Sequence, residues 1–230
     1  MYRMIELETE TEAAALCAEM IAESLKACVE QHGSAHLFVS GGKSPARMFD
    51  ALAQRVLPWE QVTVNLADER WAPDRPDDQN QHLVRTHLLQ DQAAAAHFHS
   101  LLLDPQFQDN LMLCNRQSAG FSSPDIVLLG MGLDGHTASL FPDAPDYDHA
   151  MQTSAHYVSV HPNAAPYPRI SMSFSWLTEA TQLILYIPGA EKRAAFARFV
   201  EEQQGASPLQ ALAQSTADRL TVITTREQSS

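Results

Sequence analysis

The residues best suited to chemistry lie in Gly130-Met131-Gly132-Leu133-Asp134-Gly135-His136-Thr137-Ala138-Ser139-Leu140-Phe141-Pro142, directly after the strand-like run Asp125 to Leu129. Glycines at the end of a buried strand let the backbone come close to a ligand. His136 follows the last of them. A neutral imidazole titrates near working pH and can take a proton from water. Gly132, Asp134 and Gly135 beside it are candidate substrate-binding residues. The same stretch matches G-x-G-x-x-G, a dinucleotide fingerprint. That reading requires an acidic residue at the end of the next strand, about 20 residues on. Here Pro142-Asp143-Ala144-Pro145-Asp146 intervenes, and no clear β-run ends in a carboxylate at that distance. His136 is better read as a general base.

Other segments carry weaker signals. Gly41-Gly42-Lys43-Ser44 sits between a strand pattern and a helix pattern. Backbone N–H groups at such a junction bind phosphate, and Ser44 adds a hydroxyl. A tight turn with an N-cap explains the same residues. The Walker A spacing is absent. Asp68-Glu69-Arg70 places two carboxylates and a guanidinium at a strand end. Arg70 suits an oxyanion, and Asp68 suits hydroxyls or the orientation of a base. Taken alone, this is a solvated charged loop, as are Asp74, Asp77 and Asp78. Arg169 and Lys192 are lone cations unless the fold brings them to the glycine loop as phosphate partners. His97-Phe98-His99 puts two imidazoles on one face of a possible strand, but no matching metal-ligand set accompanies them. The expectation is no metal.

Alternating strand and helix patterns must position these residues. Thr9 and Glu12 form a capping box before a helix to about Gln31. Strands follow at Ala35–Val39, Val62–Ala67, Asp125–Leu129, Tyr157–Val160, Arg169–Phe174, Leu183–Ile187 and Leu220–Thr224. Helices are expected from an N-cap at Ser44 and Pro45 to about Gln54, over Gln81–Leu89, within Pro105–Ser118 and from about Glu191 to Gln203. This pattern predicts an α/β fold: a three-layer, Rossmann-like arrangement with a mostly parallel sheet between helices, in a single domain over residues 1–230. Ligands of such folds bind beyond the carboxyl ends of the strands, where the loops above fall.

Composition narrows the partners. The net charge is −13, with 15 Lys and Arg against 28 Asp and Glu, which argues against nucleic acid and anionic membranes. An anionic small substrate would need a local basic pocket. Three cysteines without a C-x-x-C pair indicate reduced thiols and a cytoplasmic location. The acidic N-terminus is no signal peptide, and no apolar run approaches a membrane span. The oligomeric state is not readable and is compatible with a monomer.

Together, Ser40-Gly41-Gly42-Lys43-Ser44-Pro45, Asp68-Glu69-Arg70, Gly130 through Pro142, Pro168-Arg169-Ile170 and Gly189 to Lys192 resemble the 6-phosphogluconolactonase family, within the glucosamine-6-phosphate isomerase/6-phosphogluconolactonase superfamily. They occur in the family's order and span most of the chain. The family's glycine loop usually reads S-G-G-S-T-P, so Lys43 and Ser44 depart from it. The resemblance implies hydrolysis of 6-phospho-D-glucono-1,5-lactone to 6-phosphogluconate, the second step of the oxidative pentose phosphate pathway, with no cofactor. It implies phosphate binding by Gly41, Gly42, Lys43, Ser44, Arg169 and Lys192, with Asp68 at substrate hydroxyls. Arg70 would face the lactone carbonyl, and His136 would be the base. The deaminase/isomerase branch has Glu five residues after the histidine and Tyr after Asp-Glu. Here Phe141 and Arg70 stand there, which favours the lactonase branch. A non-catalytic sugar-phosphate-binding module would keep the glycine loop without needing His136 and Arg70.

Overall fold

The computed structural model describes residues 2–121, 123–203 and 207–226. Its strands are β1 (Arg3–Leu7), β2 (Ala35–Val39), β3 (Val62–Leu66), β4 (Asp68–Arg70), β5 (His97–His99), β6 (Ile126–Leu129), β7 (Tyr157–Val160), β8 (Arg169–Met172), β9 (Gln182–Ile187) and β10 (Leu220–Thr225). The helices are α1 (Glu10–His32), α2 (Ala46–Ala53), α3 (Asn80–Leu83), α4 (Phe107–Ser118), α5 (Tyr147–Gln152), α6 (Phe174–Thr178), α7 (Ala190–Phe196) and α8 (Pro208–Ser215). Seven strands form one sheet in the order β1-β10-β9-β6-β2-β3-β5, parallel throughout. Helices flank it, giving the α/β, Rossmann-like arrangement expected from the sequence. Its central strand β6 is an unbroken buried apolar run, as a parallel strand covered on both faces must be.

A second, antiparallel sheet, β4-β8-β7, was not foreseen. The sequence pattern puts Asp68–Arg70 in a charged loop at the end of the preceding strand. The chain instead changes sheets at Ala67. Its N–H donates to the Val39 carbonyl of β2 at 2.9 Å, while its own carbonyl accepts from the Met172 N–H of β8 at 2.7 Å. This hand-over carries Asp68 and Arg70 beyond the end of the parallel sheet.

The capping box at the start of α1 is present. Thr9 Oγ1 accepts from the Glu12 N–H at 3.2 Å, and Glu12 Oε2 accepts from the Thr9 N–H at 3.0 Å. The cap expected at Ser44 is not. Helix α2 begins at Ala46, Pro45 occupies the N-cap position, and no side chain caps it. Four elements, β1, α5, α6 and α8, have no counterpart in the sequence pattern, and Phe174, expected at the end of a strand, instead begins α6. Strand β1 exposes Arg3 and Glu6 and half-buries Met4, Ile5 and Leu7, so it lacks a clean period of two, and it is fixed by pairing with β10. Helix α8 starts from a Ser207 cap whose hydroxyl accepts from the Leu209 N–H at 3.1 Å. The helix expected to reach Gln203 ends at Phe196 and passes into a π-helical turn over Ala197–Glu201. No helix among the described residues is long and apolar enough to cross a membrane.

Candidate active site

The loops at the carboxyl ends of the central strands enclose a cavity of about 210 Å³. Its walls include Gly41, Gly42, Lys43 and Ser44 after β2, Asp68 and Arg70 of β4, Gly130, Met131 and Gly132 after β6, and His136, Tyr186 and Lys192. Residues scattered along the chain therefore share one wall system because parallel strands end at the same edge.

His136 is held in a defined pose. Its Nδ1 lies 2.6 Å from Asp134 Oδ1. Its ring stacks on Phe141 with centroids 3.9 Å apart and planes 25° apart. The loop closes on itself through Gly132 N–H to the His136 carbonyl and Gly135 N–H to the Gly132 carbonyl, both 3.0 Å. A Cβ on Gly132 would lie 2.3 Å from the imidazole, so only glycine leaves room for the ring. Gly135 adopts φ +84°, a left-handed conformation that glycine takes without steric cost. From outside, Ser207 Oγ donates to the Gly135 carbonyl and Arg198 to the Leu133 carbonyl, each at 2.8 Å. Burial pushes the Asp134 carboxyl up, but its hydrogen bond and charge interaction with His136 outweigh this and hold it below the ordinary value.

Ser44, released from the expected capping role, accepts from Lys192 Nζ at 2.7 Å. Lys192 sits in the first turn of α7, and burial lowers its pKa while Glu10 opposes the shift. A half-buried ammonium with a hydroxyl beside two glycines is a cradle for an anion. Lys43 lies on the rim, exposed.

The charged triplet does not form a solvated loop. Asp68 is buried, and its Oδ2 accepts from Ser139 Oγ at 2.7 Å. Glu69 is fully buried and accepts from the backbone N–H groups of Arg70 (2.7 Å), Asn80 (2.6 Å) and Gln81 (2.8 Å). Burial pushes its carboxyl up to about 7 despite these three donors. Arg70 donates Nη1 to the Asp78 carbonyl at 2.8 Å.

Arg169 pairs in register with Arg70 across β4 and β8. It is buried and donates to the Tyr167 carbonyl at 3.1 Å, and its guanidinium lies 6.0 Å from the Phe141 ring centroid. It is not among the residues lining the cavity. Burial lowers its pKa, Asp68 raises it, and Arg70 lowers it further.

Sequence reasoning overlooked Asn80, Ser139, Tyr167 and Ser207, and took Asp78 for a solvated residue. Asp78 Oδ2 in fact accepts from Tyr167 Oη at 2.7 Å. The sequence offered no pattern for these; only Tyr167, flanked by Pro166 and Pro168, stood out locally. The histidines of β5 lie apart from the cavity walls. His99 Nδ1 is 3.1 Å from Asn65 Oδ1, and the ring stacks on Phe121.

Comparison with known proteins agrees with this geometry. Residues 8–222 match the family described as Glucosamine-6-phosphate isomerases/6-phosphogluconolactonase. A 6-phosphogluconolactonase of Neisseria meningitidis serogroup A is 36% identical over 214 residues, covering 91% of this chain and 93% of that protein. One from Pseudomonas aeruginosa is 38% identical over 187 residues, covering 80% of this chain and 78% of that protein. The crystal structure of a 6-phosphogluconolactonase from Shewanella baltica superposes with a TM-score of 0.88 at 30% identity, covering 98% of both chains. On the family match, the fold and these relatives, the chain belongs to the glucosamine-6-phosphate isomerase/6-phosphogluconolactonase family, on its 6-phosphogluconolactonase side.

Proposed function

We propose that this protein hydrolyses 6-phospho-D-glucono-1,5-lactone to 6-phosphogluconate, with His136 as general base. The observation that carries the reading is that His136, held through Nδ1 by Asp134, lines the same cavity as Arg70 and the Gly41–Ser44/Lys192 cradle. Asp134 holds the Nδ1 proton of the imidazole, which leaves Nε2 with the lone pair. Nε2 takes a proton from water as the water oxygen bonds to C1. The carbonyl oxygen becomes an oxyanion, which Arg70 stabilises. The C1–O5 bond then breaks, and the imidazolium returns its proton to O5, giving the open-chain acid.

The lactone's phosphate sits against the Gly41 and Gly42 backbone, Ser44, Lys43 and Lys192, with Arg169, the cross-strand partner of Arg70, adding positive charge nearby. This local basic pocket gives an anionic substrate a place in a chain of net charge −13. Gly132 and Gly135 shape the wall that carries His136. A single domain in the cytoplasm acting on a small sugar phosphate is the corresponding reading for the whole chain.

The test is a coupled assay. Glucose-6-phosphate dehydrogenase generates the lactone, and acid release is followed with and without this protein. A rate no faster than spontaneous opening would refute the function. Ammonia release from glucosamine 6-phosphate would instead place the chain with the deaminases.

A further inference from the structure

The loop that carries His136 is gripped from outside by Phe199 and Ser207, neither of which lines the cavity. Helix α7 widens into the π-helical turn Ala197–Glu201, and such turns are frequent at functional sites. The Glu202 N–H closes it by donating to the Ala197 carbonyl at 2.8 Å, and an ion pair between Arg193 and Glu201 at 3.3 Å braces it. From this turn Arg198 Nη2 donates to the Leu133 carbonyl at 2.8 Å, while its guanidinium lies 4.5 Å from the centroid of the Phe199 ring. The Phe199 ring packs against Gly135, where a Cβ would come within 2.9 Å of it and within 3.0 Å of Ser207 Oγ.

Ser207 is buried, and its hydroxyl makes two bonds. It accepts from the Leu209 N–H at 3.1 Å as the cap of α8, and it gives its proton to the Gly135 carbonyl at 2.8 Å. That carbonyl belongs to the peptide bond whose N–H is that of His136. The same N–H points at Asp134 Oδ1 at 3.4 Å, the oxygen that holds the imidazole Nδ1 at 2.6 Å. A peptide is planar, so fixing its carbonyl fixes its N–H. Gly135, at φ +84°, would otherwise let this plane turn, because glycine populates both signs of φ. We infer that Ser207 and Phe199 are positioning residues for His136: they lock the Gly135–His136 peptide so that the imidazole keeps its place against Asp134.

The experiment separates this role from capping of α8, which needs only an acceptor oxygen. Ser207→Asp keeps the acceptor and loses the donated proton, Ser207→Ala loses both, and Ser207→Thr keeps both. In lactone hydrolysis the Asp and Ala variants lose about 10- to 100-fold in kcat with KM within about twofold, and the Thr variant stays near wild type. Phe199→Ala, at a half-buried position, shows the same split and serves if the Ser207 variants do not fold, which thermal unfolding checks. The second readout is the nitrogen NMR signals of the His136 side chain at about pH 9, where an ordinary imidazole is neutral. Wild type shows the tautomer protonated on Nδ1, and the folded variants a mixture of the two. A Ser207→Asp protein with wild-type kcat leaves Ser207 a cap and overturns the proposal, as does a lost kcat with unchanged imidazole signals. The kinetic arm rests on the lactonase reading above. If the wild type does not accelerate opening of the lactone, that reading fails, and the imidazole signals alone decide the positioning role.

Discussion

At the scale of single residues, His136 bears most of the chemistry assigned here. General-base catalysis contributes about 10²–10⁴ in rate, so His136→Ala should lose that much in kcat while KM stays within a few-fold. Steady-state lactone hydrolysis measures both, and near-wild-type turnover would remove His136 from the mechanism. Asp134→Asn tests the partner. The amide can donate to Nδ1 and favour the tautomer whose Nε2 carries the proton, so kcat should fall roughly 10- to 100-fold with the fold intact. His136, Asp134 and the glycines were legible in the sequence because they sit within a few residues of one another. Phe141 was legible as a residue but not as the surface on which His136 stacks. Asn80 was not legible at all, since its amide meets Asp68 only across a 12-residue separation closed by the fold.

At the scale of elements, β4 and the loop to α3 set the positions of Arg70 and Asn80 through Glu69. Its buried carboxyl, raised from 4.5 to about 7, holds a proton in the folded protein where the unfolded chain has lost it. Folding therefore takes up a proton in this window, and stability falls as pH rises from about 4.5 to about 7. The full contribution is about 3 kcal/mol. Denaturant unfolding of wild type and Glu69→Gln at pH 5 and pH 7.5 should show a shallower pH dependence in the variant. Equal slopes would mean Glu69 does not titrate there.

A second clasp joins the loop before β8 to the loop after β4. Tyr167 adopts φ +70° in front of Pro168, a strained conformation for a bulky residue. Its hydroxyl holds Asp78, whose carbonyl receives Arg70, and its own carbonyl receives Arg169. Tyr167→Phe removes one hydrogen bond. It should raise KM about 3- to 10-fold with little change in melting temperature. An unchanged KM would make the clasp irrelevant to the arginines.

At the scale of the whole molecule, the site is assembled from parts far apart in the chain, so ligand binding and folding are coupled. At 100 times its Kd, a ligand of the native state adds about 2.7 kcal/mol of stability. For a chain of this size that is a rise in melting temperature of about 5–10 °C. Adding 6-phosphogluconate should produce such a rise in the wild type and much less in Lys192→Ala. Equal shifts in both would remove Lys192 from the phosphate cradle.

The sequence by itself determined the alternation of strand and helix, the parallel sheet and the loops at strand ends. All of these follow from periodicity and turn chemistry within short windows. It also determined the His136 motif, whose members are neighbours in the chain. Only the tertiary structure decided that Ser44 pairs with Lys192, 148 residues away, instead of capping α2. Likewise, Asp68 meets Ser139 across 71 residues, and a second sheet splits from the first at Ala67. Those contacts depend on which strands lie side by side, and strand order is set by packing of the whole core, which no local pattern encodes.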